Sequence, residues 1–474
     1  MKKYMAAAVL GILSLPCFGA QAEEMKVPAE TRKDLFLNIY QQNLALVKND
    51  YKLKLADGVS VVAFEGVSEQ MQPQTTLIDG SGITVLEKNY EYNLLNRENL
   101  LEAYVGKEVS AVTIDHETSK NVFDKALLMN NDYGNPMLKF SYGIDPHFPG
   151  RIVFPDVPAN LRLKPTLVAK VASKGGEAKN VSLSYLSGGL SWTGNYVAEI
   201  VDSRKMDLQS WVEISNQSGT DFKNAKVTLV SGDVNNGGGS VQPRPLMMAA
   251  MRKMNYDAEA AADSGSGEIA AQSFGEYYSY NLPGKADVLN KQSKQISLWS
   301  AAGAGYEKQY KLVSPLADYA RMFERRHAAV VYKITNSKAQ KLGQPMPSGT
   351  IRFYEKDGNG NLSFTGAAEM PQLAVDESVE LNIGKSYDVY ANGKIVNFSQ
   401  IAENTTETDY EVSFFNAGKK EVKVIWEQKT SGEAKVLKES AKSKRTDAGL
   451  LRWQISVPAG GESKLTYQLR QTRN

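Results

Sequence analysis

The chain has 474 residues, with 55 Lys and Arg against 53 Asp and Glu and a single cysteine. Residues 1–22 carry two lysines and no acid, so the remainder is neutral, which argues against nucleic acid and anionic membrane as partners, since both attract a basic excess. The one cysteine, Cys17, falls in that leading segment and leaves the rest without a disulfide, a thiolate metal site or a thiol nucleophile.

Residues 1–22 read as a secretion signal. Lys2 and Lys3 precede an apolar run, and Ala20-Gln21-Ala22 forms the small-residue end, with the cut placed between Ala22 and Glu23. The apolar run is short for a bilayer span, so no transmembrane anchor is expected in the mature chain. A lipid anchor on Cys17 is disfavoured because Leu15-Pro16 offers no small residue before it. The expected location is periplasmic or secreted.

Short alternating runs follow. Leu35 to Tyr40, Leu44 to Val47, Tyr51 to Leu55, Val59 to Phe64 and Ile83 to Leu86 each put apolar side chains on one face, as a half-buried strand requires. Ala56-Asp57-Gly58 supplies a turn between two of them. Asn96 to Tyr104 predicts one short helix with Asn96 as its cap. The strand pattern returns at 181–185, 227–230, 296–299, 350–354, 412–415, 422–426 and 465–469. The expected fold is all-β, a series of β-sandwich domains of immunoglobulin-like kind. The expected limits are an N-terminal domain over 23–165, a central one over 166–313 and a C-terminal sandwich over 314–474. The stretch 237–275 is rich in Gly, Ala, Ser and acid and poor in branched residues, and reads as a long disordered loop.

Four stretches stand together over roughly residues 165–470: Tyr185 to Trp192 with Gly188 and Gly189; Ile214 to Asp221 with Asn216 and Gly219, leading to Leu229 to Val234 with Gly232; Leu282-Pro283-Gly284 with Lys294 to Leu298; and Leu342 to Thr350 with Pro347 and Gly349. In order and spacing the chain resembles a bacterial family, domain of unknown function 4139, which is similar to mucoidy-inhibitor-like exported proteins. The resemblance implies an exported β-rich protein and carries over no catalytic residue. By composition these motifs make architecture: Gly188-Gly189 a sharp turn beside Trp192, Asn216 to Asp221 the turn of a hairpin, Pro345-x-Pro347 an edge or a loop entering a strand at Gly349.

Candidate chemistry is sparse. Gly189 to Gly194 is one residue out of a nucleophile elbow around Ser191. Gly384-Lys385-Ser386 lacks the first glycine and the helix of a phosphate loop. His116, His147 and His327 are scattered, and His116 is expected on a strand, on the face opposite Asp115 and Glu117. Asp357 to Asn361 begins like a calcium loop, but Leu362 stands where glycine is needed, so a hairpin turn fits better. Met247, Met248, Met251 and Met254 offer thioethers for Cu(I), against the charges of Arg252 and Lys253. The reading that results is an exported envelope protein of non-enzymatic kind. It is a binding or scaffold module acting through sheet edges and loops, with an envelope protein or polysaccharide as partner and no cofactor. The rivals are a hydrolase of envelope polymers or peptides, and copper handling through the Met-rich loop.

Overall fold

The computed structural model describes residues 24–472 apart from 133, 159, 176–177, 233, 235–268, 270, 318–319, 431 and 448. The leading segment with Ala22 and Glu23, the four methionines and most of 237–275 lie outside the described residues. The protein is all-β, built of several multi-stranded sheets in sandwich-like arrangements. The one α-helix among the described residues is Arg97–Ala103, where Asn96 accepts the Asn99 N–H at 2.8 Å through Oδ1.

The chain groups into two compact units. The first takes in residues up to 36, 46–188 and 218–220. Its four-stranded sheet runs in the order Glu24–Val27, Gly58–Glu65, Thr166–Ser173, Ile83–Glu91, with the first pair parallel. Arg162 pins the first strand by a two-pronged bond to Glu24, at 2.7 and 2.8 Å, and reaches Glu91 at 2.5 Å. Tyr51 meets Phe64 of this sheet with centroids 5.3 Å apart, so the strand carrying Tyr51 contributes to the core above it. A five-stranded sheet, Gly143–Asp145, Asn135–Phe140, Asn121–Asp132, Glu108–Ile114, Arg151–Val153, packs Leu128, Leu138 and Phe140 with Leu101 of the helix and Tyr104 at its cap.

The second unit holds residues 37–45, 189–217 and 221 onward. Its main sheet is made of long antiparallel strands, among them Leu190–Ile200, Lys205–Asn216, Gln292–Val313, Met322–Thr335, Ser378–Ala402, Thr405–Asn416 and Gly461–Thr472. Gln292–Val313 is long enough to pair with Lys205–Asn216 through its first half and with Met322–Thr335 and Val422–Lys429 through its second. Alternation explains the C-terminal core. Val412 and Phe414 on one strand and Leu465, Tyr467 and Leu469 on the next face inward, against Trp426 and Trp453. Each such side chain contributes about 1.5–3 kcal/mol by leaving water. The Trp426 indole donates to the Tyr467 hydroxyl at 3.1 Å, and that hydroxyl donates to Gln428 at 2.9 Å, so the polar atoms of this core are satisfied.

One predicted element is corrected. Asn216 to Asp221 does not close a hairpin. Lys205–Asn216 pairs with Leu190–Ile200 and Gln292–Val313, whereas Phe222–Ser231 pairs with Tyr277–Asn281 and Ala286–Val288 in another sheet. Both strands alternate buried and exposed residues, and two such faces are buried by passing to different layers as readily as by lying side by side. A polar Asn/Ser/Gly turn does not distinguish the two outcomes.

Candidate functional site

The motif residues occupy turns, arches and close contacts. Gly189 has φ +79°, open to glycine and strained for other residues, and its N–H donates to the Asn43 side chain at 2.8 Å. Trp192 is buried, donates to the Val230 carbonyl at 3.1 Å and meets the ring of Tyr280 edge-on at 5.9 Å. Gly188 lies against Gln70, Gly219 (φ +82°) against the Glu69 carboxyl, and Gly232 (φ +132°) against the Tyr277 ring. The Pro347 carbonyl accepts the Tyr196 hydroxyl at 2.7 Å, and Gly349 faces Gly194 across a parallel pair.

Asn216 is fully buried and donates to the Val288 carbonyl at 2.9 Å. Two further asparagines repeat the device. Asn336 follows Met322–Thr335 and Asn416 ends Thr405–Asn416, and both are buried. Asn336 donates to the carbonyls of Gln344 at 2.8 Å and Ala374 at 2.9 Å, and accepts the Gly343 N–H at 2.8 Å. Asn416 donates to Lys420 at 2.8 Å and Pro458 at 3.0 Å, and accepts from Gly418 at 3.0 Å. In each case one amide replaces the neighbouring strand where the chain leaves its sheet, so buried main-chain groups stay bonded. The recurring strand-then-Asn ending, Ile214-Ser215-Asn216, Ile334-Thr335-Asn336 and Phe414-Phe415-Asn416, was the available signal, and reading each motif alone missed it.

Within the second unit these parts converge on a pocket of about 220 Å³. Tyr278 and Tyr280 project from Tyr277–Asn281, and Ser231 stands opposite Tyr278 in the register. Pro345 and Met346 form a second wall. Gln372, Leu373, Ala374 and Glu377 form the third. Met346 and Leu373 exchange main-chain bonds at 3.0 and 2.9 Å, and Asn336 binds both loops, which fixes the two walls against each other. The Tyr280 hydroxyl donates to the Pro345 carbonyl at 3.0 Å; burial, helped by the neighbouring Tyr278, pushes this phenol well above its ordinary range. Ser231 donates to the amide oxygen of Gln41 at 3.3 Å, and Gln41 in turn donates to the Ser348 carbonyl at 3.1 Å. The serine hydroxyl is therefore tied to an amide, which is no base. A smaller pocket of about 70 Å³ is lined by Trp299, Asn336, Lys341 and Gln344 among others.

The other candidates are dispersed. Ser191 sits inside a paired strand, opposite Ser215. His116 is not on a strand: Glu108–Ile114 ends before it, and Asp115 Oδ1 accepts the N–H groups of Glu117 and Thr118, winding the chain into a turn. His147 follows a similar turn held by Asp145, and His327 Nδ1 meets the main-chain oxygen of Ser386 at 2.8 Å. Asp357 Oδ1 accepts from Asn359 and Asn361 at 2.8 and 2.9 Å and closes the hairpin between Gly349–Lys356 and Leu362–Met370. Gly384-Lys385-Ser386 lies within the strand Ser378–Ala402. Among the described residues no three His, Cys, Asp or Glu side chains gather as a metal site.

No curated protein shows significant similarity to the chain. The sequence profile of the family described as domain of unknown function (DUF4139) matches residues 181–472, a span that holds all three walls of the pocket and all three strand-ending asparagines, and the protein belongs to that family.

Proposed function

We propose that this is an exported envelope protein, periplasmic or secreted, that works by contact as a non-enzymatic binding or scaffold module. The observation that carries this reading is the pocket beside Tyr278 and Tyr280. Segments far apart in sequence are held around it by hydrogen bonds, and its one serine hydroxyl is bonded to Gln41 and not to a base. A rigid, mostly apolar recess with few polar groups suits recognition. Loops and free sheet edges extend the contact surface: the main sheet ends at Leu362–Met370 and at Glu433–Glu439, and Leu362 and Phe364 are exposed on the first of these.

The test is a photo-reactive side chain at the exposed Gln372, introduced into the full chain and irradiated in the native envelope. A discrete adduct that disappears when Ala374→Trp fills the recess is the expected result. Adducts that ignore the filled recess remove the pocket from the reading. Release of a product from envelope polysaccharide or peptide by the purified chain, abolished by Ser231→Ala, would put a hydrolase in its place.

A further inference from the structure

The pocket has a chemical bias. Its volume of about 220 Å³ lies below the range of about 300–1,000 Å³ that holds drug-sized ligands, so it suits a single side chain. Tyr280, Met346 and Leu373 are almost wholly buried and supply an apolar, aromatic interior. Glu377 is the one acidic or basic residue of the lining, and it is exposed. Its Oε2 accepts the Ala374 N–H at 2.9 Å, and among the described residues no Lys or Arg forms an ion pair with it.

An apolar, tyrosine-lined recess with one carboxylate on its lining is complementary to a group with an aliphatic stem and a cationic head. A lysine or arginine side chain lays its methylenes along apolar walls and keeps its charge in water. The head gains from an aromatic face and from a charge-assisted hydrogen bond to a carboxylate. An acidic side chain would face Glu377 as a like charge, and a purely apolar one would gain no charge-assisted bond from the carboxylate. We propose that the pocket takes a lysine or arginine side chain displayed by a partner polypeptide, with Glu377 as the group that selects the positive charge. This rests on the reading of the pocket as the recognition site and names what it recognises.

The experiment uses the full chain with 13C-labelled tyrosine and four probes: the Nα-acetyl N-methylamides of lysine, arginine, norleucine and glutamate. The expected result is saturable shifts of the Tyr278 and Tyr280 rings, with lysine or arginine favoured about fivefold over norleucine. Glu377→Gln should erase that preference while the thermal melt is unchanged, and salt should weaken it. Gln372→Trp and Ala374→Trp, two separate obstructions, should each remove the shifts. Equal binding of lysine, arginine and norleucine, or a preference that survives Glu377→Gln, overturns the charge selection and leaves the recess as a binding site. Binding of none of the four overturns both.

Discussion

Gly194 and Gly349 stand opposite each other on parallel strands, so close that a Cβ on Gly349 would run into the main chain of Gly194. Neither requires a left-handed backbone; the demand is for space. The contact sets the spacing between Leu190–Ile200 and Gly349–Lys356, and with it the position of Pro345 and Met346 at the pocket wall.

Gly349→Ala should therefore cost about 2–3 kcal/mol or more, since the obstacle is backbone and cannot swing aside. Gly358→Ala, in an exposed hairpin turn with nothing within contact range, should change stability by less than about 0.5 kcal/mol. Urea unfolding of the two variants measures the difference. Equal losses would mean that the strand pair relaxes around the methyl group.

Asn336→Ala and Asn416→Ala should each cost about 2–4 kcal/mol, because each removal orphans several buried main-chain groups together. Asn336→Asp should do no better, since a carboxylate facing the carbonyls of Gln344 and Ala374 replaces attraction by repulsion. Denaturant midpoints report the cost. In Asn336→Ala, side-chain shifts of Met346 and Leu373 should move as well, whereas Asn416→Ala should leave them in place.

The Arg162 fork gives the first unit an acid limb. Its bonds hold the Glu24 carboxyl below the ordinary value of 4.5. A depressed carboxylate contributes stability that is present above the unfolded value and is lost as pH falls through the folded one. The difference in unfolding free energy between wild type and Arg162→Met should be largest near neutrality and should narrow from about pH 4.5 downward. Hydrogen exchange at Glu24–Val27 should report the same release locally. A constant difference from pH 7 to pH 3 would show that the bond does not govern this strand.

Buried phenols give an alkaline limb. Burial pushes Tyr40, Tyr185 and Tyr332 up to about 12. A raised phenol contributes stability that is fully present below its unfolded value near 10 and is lost as pH rises through the folded one. Absorbance near 295 nm, followed from pH 9 to 13, should rise in two steps. A second, steeper rise should coincide with loss of the far-ultraviolet strand signal. Smooth ionisation of all tyrosines near pH 10 in a folded chain would contradict this.

Much of the architecture could be read from the residues alone. Alternation placed the strands at Val412 to Phe415 and Leu465 to Leu469, because burying one face of a strand fixes every second side chain. Asn96 marked the helix start and Asp357 to Asn361 marked a hairpin, because an Asx side chain closes a turn with its own neighbours. Where the partner was remote, local chemistry misled. Asn216 to Asp221 looked like a hairpin turn, and the bond from Asn216 to Val288 belongs to a segment that composition cannot bring near. His116 was expected on a strand, and the short-range bonds of Asp115 ended that strand first.

Sequence by itself determined the β character, the family and the absence of a local catalytic signature, since each depends on neighbours a few positions apart. Tertiary structure alone decided that Ser231, Tyr280, Met346, Leu373 and Glu377 share one recess. Sheet order and the reach of Asn336 set that, and both are contacts between residues the chain keeps far apart.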